Sequence, residues 1–300
     1  MSALALPVSL RPQASASGAR ERALARATAA QHRRRPAGVI LAAAIMGLVL
    51  LAAFAPQLLT AADPIAADLL AANQPPSAAH LAGTDYLGRD VFCRIVYGAR
   101  YSLVIGLTAT AISVLAGLLL GLAAGISPRW ADSLISRAVD VLASFPSILL
   151  ALVVIAVAGP GLVNLIAALG LSGIPGYARV VRAQTLQVVR SGYVEQARAL
   201  GLSRPRLIAA HVLPNALGVV PVLATIGLGG AISGAAALSF IGLGPQPPTP
   251  EWGAILAESR NYLRVAWWTG ILPGAALTAT VIASTVLGRA WQARYERRQP

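Results

Sequence analysis

Side chains able to do chemistry are few in this chain. There is one cysteine, Cys93, and there are three histidines, His32, His80 and His211. A single thiol forms no internal disulfide. The histidines lie far apart, without the spacing that gathers ligands round a zinc ion, so they read as polar loop or helix-end residues. All 24 basic residues are arginine. A chain without lysine has no Walker A loop, because that loop's lysine must reach the nucleotide phosphates. ATP hydrolysis is therefore expected in other chains. An embedded enzyme would need paired acids or a His/Asp cluster at bilayer depth, and the apolar runs offer only Asp140, Asn164 and scattered serines and threonines. An ion-coupled carrier would use intramembrane ionisable groups or broken helices at the midplane. Pro175 breaks one run, but near its end. Asp140 is the one acid near a span, and Arg137 one turn before it points to a helix-end ion pair. The densest polar stretch is "EQARALGLSRPRLIAAHVLPN", Glu195 to Asn215, between two of the most apolar runs.

The elements that hold this stretch follow from composition. The 300 residues are 56% hydrophobic and 12% charged, a balance typical of a bilayer protein. The net charge of +13 could attract nucleic acid or anionic lipid. Nucleic acid is not expected as a partner, since the arginines alternate with membrane-length apolar runs, and membrane lipid is. A spanning helix needs about 20 mostly apolar residues. Six stretches qualify: 39–59, 103–126, 139–158, 162–178, 216–237 and 267–287. The fourth is interrupted by Gly173, Pro175 and Gly176, a break that neighbouring helices can accommodate. Ala53-Phe54-Ala55 resembles a cleavage site, but the long arginine-bearing tail before the span and Pro56 after it point to an uncleaved anchor. With both ends inside, nineteen arginines are cytoplasmic: seven in the tail (Arg11 to Arg35), then Arg129, Arg137, Arg179, Arg182, Arg190, Arg198, Arg204, Arg206, Arg289, Arg294, Arg297 and Arg298. Arg89, Arg94, Arg100, Arg260 and Arg264 fall outside. That bias sets the orientation. Glycines at 117, 121 and 125, at 230 and 234, and at 270 and 274 form small-xxx-small faces that let helices approach closely. Moving and static interfaces both fit that spacing.

Outside the membrane, "HLAGTDYLGRDVFCRIVYGARYSL" (His80–Leu103) carries Thr84 and Asp85 as candidate helix caps. Val91, Phe92, Ile95 and Val96 then recur at helical spacing, which predicts an interfacial amphipathic helix. Before the last span, Pro245, Pro247, Pro248 and Pro250 enforce an extended path, and Trp252, Trp267 and Trp268 are placed as interfacial anchors. Each arginine at the bilayer centre costs about 2.5–3.5 kcal/mol, so the six from Arg179 to Arg206 belong outside the hydrocarbon. A helix is predicted over roughly Tyr193–Leu200, stopped by Gly201 in a left-handed cap. Ser203 can cap a second helix with Pro205 in its first turn, and Leu213-Pro214 opens span five. Long ordered loops carry function, and a thin helix with Ala197 and Ala199 fits a groove. A membrane-surface helix pair on lipid phosphates fits the same residues.

The order of these residues resembles the EAA loop of ABC importer permeases: Glu195-Gln196-Ala197, then Gly201, then Leu213-Pro214. That pattern is Glu-Ala-Ala, three residues, Gly, nine residues, Ile-x-Leu-Pro. Gln196 stands where Ala is usual and His211 where Ile is. "HVLPN", "GTDYLGRD" (Gly83–Asp90, with Thr84, Asp85, Gly88 and Arg89), "YGARYSL", "GYARVVR" (with Arg179 and Arg182) and "SFIGLG" are similar to the "C" type permease of the dipeptide/oligopeptide/nickel branch. The C-terminal "LGRAWQARYERR" departs from the family, which more often has Gly-Asp and a final Asp-Pro.

The resemblance implies an all-α fold of six transmembrane helices, a type I ABC importer transmembrane domain with a cytoplasmic coupling helix. The implied layout is a basic tail over 1–37, a first span over 38–60, an extracytoplasmic loop over 61–97, the importer domain over 98–288 and a tail over 289–300. The coupling segment, about 190–214, would present Glu195, Gln196, Ala197, Arg198, Ala199, Leu200, Gly201, Leu202 and Ser203 to an ATPase. Ala197 would permit close approach, Gly201 would set the turn, and Glu195 would offer an anion; an exposed i,i+3 pair with Arg198 is the alternative for Glu195. No cofactor is expected in this chain, with ATP and Mg2+ in the partner ATPases. The implied partners are a homologous permease, two ATPase domains and an extracytoplasmic substrate-binding protein, at the bacterial inner membrane. Cargo is expected to be di- or oligopeptide, with nickel or glutathione-like compounds as alternatives.

Overall fold

The computed structural model describes residues 37–296. The seven N-terminal arginines, Arg297 and Arg298 lie outside those residues. The chain forms helices α1 (Ala37–Phe54), α2 (Val91–Ile126), α3 (Arg129–Ala143), α4 (Ser147–Ala158), α5 (Leu162–Val189), α6 (Gly192–Ala199), α7 (Arg204–Leu207), α8 (Leu213–Leu217), α9 (Val220–Phe240), α10 (Trp252–Ser259) and α11 (Trp268–Glu296). Among the described residues, four helices (α1, α2, α9, α11) are long and apolar enough to cross a membrane, and five spans result if α3 and α4 count as one.

Six apolar stretches thus become four or five qualifying spans, for two local reasons. The third stretch divides at Ser144-Phe145-Pro146, where α3 and α4 meet at 84°. Pro146 has no N–H for α3 to bond, and its ring disfavours helix at the residue before it. The fourth becomes α5, which has 28 residues and is long enough, but its second half carries Arg179 and Arg182. The expected break near Pro175 does not occur: Pro175 lies inside the continuous α5.

The expected interfacial helix before span two is also absent as a separate element. It is the first turns of the 36-residue α2. The cap is Asp90, whose carboxylate accepts from the Cys93 N–H at 2.8 Å. Thr84 and Asp85 cap nothing. Thr84 Oγ1 accepts from Gln74 N and donates to the Ala71 carbonyl, while Asp85 is tied to arginines described below.

The bundle core lies where α2, α5 and α9 meet. Ile105, Leu165, Ala168, Ala235 and Leu238 form one buried cluster with α4 residues Ala151 and Ile155. Val96, Leu103, Ile232, Trp252 and Ile255 form another, joined by Ala52 and Ala53 of α1. Trp252 and Trp268 belong to such clusters, 1% and 6% exposed, so they are core residues and not the interfacial anchors expected of them. The α2 glycines seat α5: a Cβ at Gly117, Gly121 or Gly125 would come within 2.5–2.7 Å of Tyr177, the Ala178 carbonyl or Thr185. Close approach of this kind is what small-residue faces permit.

Candidate functional site

The segment after α5 folds on itself. Val194 and Ala197, one turn apart on α6, face inward against Val188, Leu207 and Val212, with Val189 and Leu202 at the edge. The α6 helix closes in a Schellman arrangement: the Leu202 N–H donates to the Ala197 carbonyl at 3.2 Å, and the Gly201 N–H to that of Arg198 at 3.0 Å. Gly201 sits at φ +86°, a region glycine enters without steric cost. Ser203 is the residue before α7 in extended conformation, but its hydroxyl makes no cap bond; Pro205 stands in the first turn as expected. Ile208–Val212 is a π-helical turn that runs into α8, where Pro214 lies in the first turn after Leu213. The His211 ring stands 6.2 Å from that of Tyr193, and its carbonyl accepts from Asn215.

This geometry reassigns Ala197. It is 8% exposed and packed inward, so it fills this chain's own small core, not an outward contact. The face that remains outward is Glu195, Gln196, Arg198, Ala199 and Leu200, the last 83% exposed. No bond joins the Glu195 carboxylate to Arg198 among the described contacts, so the i,i+3 alternative is not realised. Leu200, at the C-cap of α6, is an exposed apolar tip next to the left-handed turn at Gly201.

The signature at Gly83–Asp90 does something different. Asp85 Oδ2 pairs with Arg89 Nε at 2.7 Å and with Arg94 Nη1 at 2.6 Å. Both guanidiniums continue to Glu258 Oε2 of α10, Arg89 at 2.6 Å and Arg94 at 2.7 Å. Asp85 also accepts from the Leu87 and Arg89 backbone N–H groups. Burial disfavours the Arg89 charge, but Asp85 and Glu258 outweigh it and hold its pKa above the usual guanidinium value. Arg89 also lies over the Tyr86 ring, which stacks on Tyr262 at 4.9 Å. Asp90 meets His80 Nδ1 at 2.9 Å, and the Trp268 indole donates to the Thr84 carbonyl. Gly83 and Gly88 are at φ +70° and +74°. These residues therefore fasten the segment before α2 to α10 and the start of α11. Sequence spacing indicated neither Arg94 nor Glu258 as a partner; the one clue was an isolated acid on a short helix after a proline-rich loop.

Arg179 and Arg182 pair with acids of α3. Arg182 makes two bonds to Asp132 of α3, at 2.6 and 2.7 Å, and Arg179 meets Asp140 at 2.8 Å. Asp140 is therefore paired across helices, not with Arg137 as expected. The Arg179–Asp140 pair is more than half exposed on both sides, where such pairs contribute little.

Halfway along α2, α5 and α9, these helices and the start of α4 line an open cavity of about 360 Å3, with Thr110, Ser113, Ser172, Tyr177, Gly230 and Gly234 among its residues. Of these, the sequence marked Gly230 and Gly234 as a small-residue face and Tyr177 within a family motif, but nothing in their spacing, nor in that of the serine and threonine hydroxyls, indicated a cavity.

Residues 117–299 match the family model described as "Binding-protein-dependent transport system inner membrane component". The chain is 43% identical over 244 residues to the dipeptide transport system permease protein DppC of Alkalihalophilus pseudofirmus, covering 81% of this chain and 80% of that one. It is 44% identical over 220 residues to the di/tripeptide transport system permease protein DppC of Pseudomonas aeruginosa (71% and 73% covered). Over 216 residues it is 43% identical to the glutathione transport system permease protein GsiD of Pectobacterium atrosepticum (72% of each). The fold is that of an inward-facing structure of the methionine ABC transporter MetNI, with a TM-score of 0.56 at 21% identity over 67% of this chain and 96% of that one. Transport-system relatives at this identity weigh against the embedded-enzyme and ion-coupled readings. With its several membrane-length apolar helices and these matches, the chain is a multi-pass membrane protein that belongs to the binding-protein-dependent inner membrane components, the permease subunits of ABC importers.

Proposed function

We propose that this permease forms half of a pathway for di- and oligopeptides and is driven through α6 by a partner ATPase. The observation that carries the coupling part is the outward face of α6. Its inward residues are spent on the chain's own core, its end is fixed by the Gly201 turn, and Glu195, Gln196, Arg198, Ala199 and Leu200 are left outside. Glu195 offers a carboxylate to donors on the ATPase, and Leu200 an apolar tip to a groove. Peptide cargo is supported by the similarity to dipeptide and di/tripeptide permeases. Glutathione-type cargo is a second reading, resting on a relative at the same identity; glutathione is itself a modified tripeptide.

In this reading the arginine-rich ends and α6 lie in the cytoplasm, and residues 61–90 and 241–267 lie outside, facing a substrate-binding protein. A homologous permease completes the pathway, and ATP and Mg2+ are held by two ATPase domains. ATP draws those domains together, α6 follows, and the spans reorient. The test is the complete transporter in proteoliposomes with Glu195→Lys and Leu200→Glu. Each should lower peptide uptake and binding-protein-stimulated ATP hydrolysis by roughly tenfold, the effect of about 1.4 kcal/mol lost at the contact. Both residues are exposed, so the variants should insert and assemble normally. Unchanged uptake with unchanged stimulation would remove α6 from the coupling contact.

A further inference from the structure

The cavity between α2, α5 and α9 has an unusual lining. Hydroxyls converge on it from three helices: Thr110 and Ser113 of α2, Ser147 of α4, Ser172 and Tyr177 of α5. None of the described residues that line it is charged. Hydroxyls inside helices normally bond a carbonyl one turn back. Ser113 does so with Ala109 and also reaches the Gly170 carbonyl across the interface, and Ser172 bonds the Leu169 carbonyl. Thr110 does not. It is 7% exposed, and its hydroxyl has no partner. A buried hydroxyl in this state asks for a partner, and a ligand in the cavity it lines would supply one. The Tyr177 hydroxyl reaches only the Leu223 carbonyl, at 3.4 Å, and can accept another donor.

The cavity's mouth shows the same thing from its shape. A Cβ at Gly227 would strike the Tyr177 hydroxyl, so that glycine is explained by packing. A Cβ at Gly230 would meet nothing within 4 Å. Gly230 is exposed and makes no close approach within this chain, although Gly230 and Gly234 have the spacing of a packing face. Glycine there keeps the cavity open.

We propose that this cavity is a cargo-contact site, and that it takes the uncharged amide backbone of a short peptide. Ser113 and Ser172 have given their protons to carbonyls and can accept from a ligand N–H, while the Thr110 and Tyr177 hydroxyls can also donate, which together match the N–H and C=O groups of a peptide chain. With no charge in the lining, it does not select among side-chain charges. At about 360 Å3 the space lies at the small end of ligand pockets, and Gly230 sets how large a residue can pass. The proposal rests on the peptide-importer reading above.

The experiment uses the complete transporter in proteoliposomes at saturating binding protein, with labelled dialanine and labelled triphenylalanine as probes. Thr110→Val keeps the shape and removes only the unpartnered hydroxyl. It should leave abundance and melting temperature unchanged and lower the peptides moved per ATP at least threefold. Gly230→Leu should lower triphenylalanine uptake at least tenfold, keep dialanine uptake above half, and keep ATPase stimulation intact. A merely structural role would not separate the two peptides. Wild-type stoichiometry and an unchanged size profile in both variants would overturn the proposal while leaving the importer reading intact. If Gly230→Leu does not assemble with the partner permease, the peptide-to-ATP ratio of Thr110→Val decides. If the unaltered transporter moves neither probe, the peptide reading fails and takes this one with it.

Discussion

Glu258→Ala is expected to lower the apparent melting temperature of the purified assembly by roughly 10 °C, more than any exposed ion-pair substitution in this chain. Its Oε2 accepts from both Arg89 and Arg94, whose side chains are 3% and 1% exposed. Without it, two buried guanidiniums share the single charge of Asp85. Removing one partner of a buried ionic network costs about 3–5 kcal/mol, because the remaining charge stays desolvated, and each kcal/mol is worth roughly 2–4 °C in a domain of 150–250 residues. Arg94→Met should cost less. Two Arg94 nitrogens, Nε and Nη2, are buried without partners, so the substitution removes unmet donors together with the charge. The double variant with Glu258→Met should recover part of the loss, since an apolar replacement of matched shape is often neutral. Thermal unfolding of the three variants at one scan rate checks the order. Equal stability of Glu258→Ala and the unaltered protein would mean that the network is hydrated and weak. Asp140→Ala is the control: its pair with Arg179 is more than half exposed and should contribute at most about 1 kcal/mol.

Gly88→Ala should be the most damaging conservative change in the loops. Gly88 is at φ +74°, and an added Cβ would lie 1.7 Å from the Asp68 carbonyl oxygen. That oxygen is backbone and cannot rotate away, so the segment around Asp68 must move. The left-handed conformation costs about 1–2 kcal/mol and forced overpacking about 1–3 more. Gly201→Ala has nearly the same φ, +86°, but a Cβ there would meet nothing within 4 Å. It should cost only the conformational part, about 1 kcal/mol. Protease resistance of the 60–90 segment, compared with that of the α6–α7 turn, distinguishes the two. Similar protection of both variants would show that the Asp68 segment yields freely.

These two predictions mark what was legible in the sequence. The α6 helix, its left-handed stop at Gly201 and the Pro205 turn follow local rules, in which each bond spans a few residues. Composition carries the spans for the same reason. The pairings that fasten the molecule are not local. Glu258 lies 169 positions from Arg89 and Asp132 lies 50 from Arg182, and only the packed fold brings them together. Helix starts suffered from the same limit. Thr84, Asp85 and Asp90 are all competent caps, and tertiary partners for the first two left Asp90 to begin α2. The motif at Glu195–Gly201 was legible as a pattern, but which of its faces turns outward was settled by the cluster of Val188, Leu207 and Val212 beneath it.

The continuity of α5 through Pro175 has a mechanical consequence. The helix runs about 42 Å, with the hydroxyl-lined cavity at Ser172 and Tyr177 and the α6 core at Val188. From Ile174 to Thr185 it rests on the glycines of α2, a seam that begins beside the cavity. A rod with no break cannot absorb a push at its end by bending at a joint. It carries the push along its length as one body, so the α6 end and the cavity wall are parts of a single strut that lies along the α2 seam.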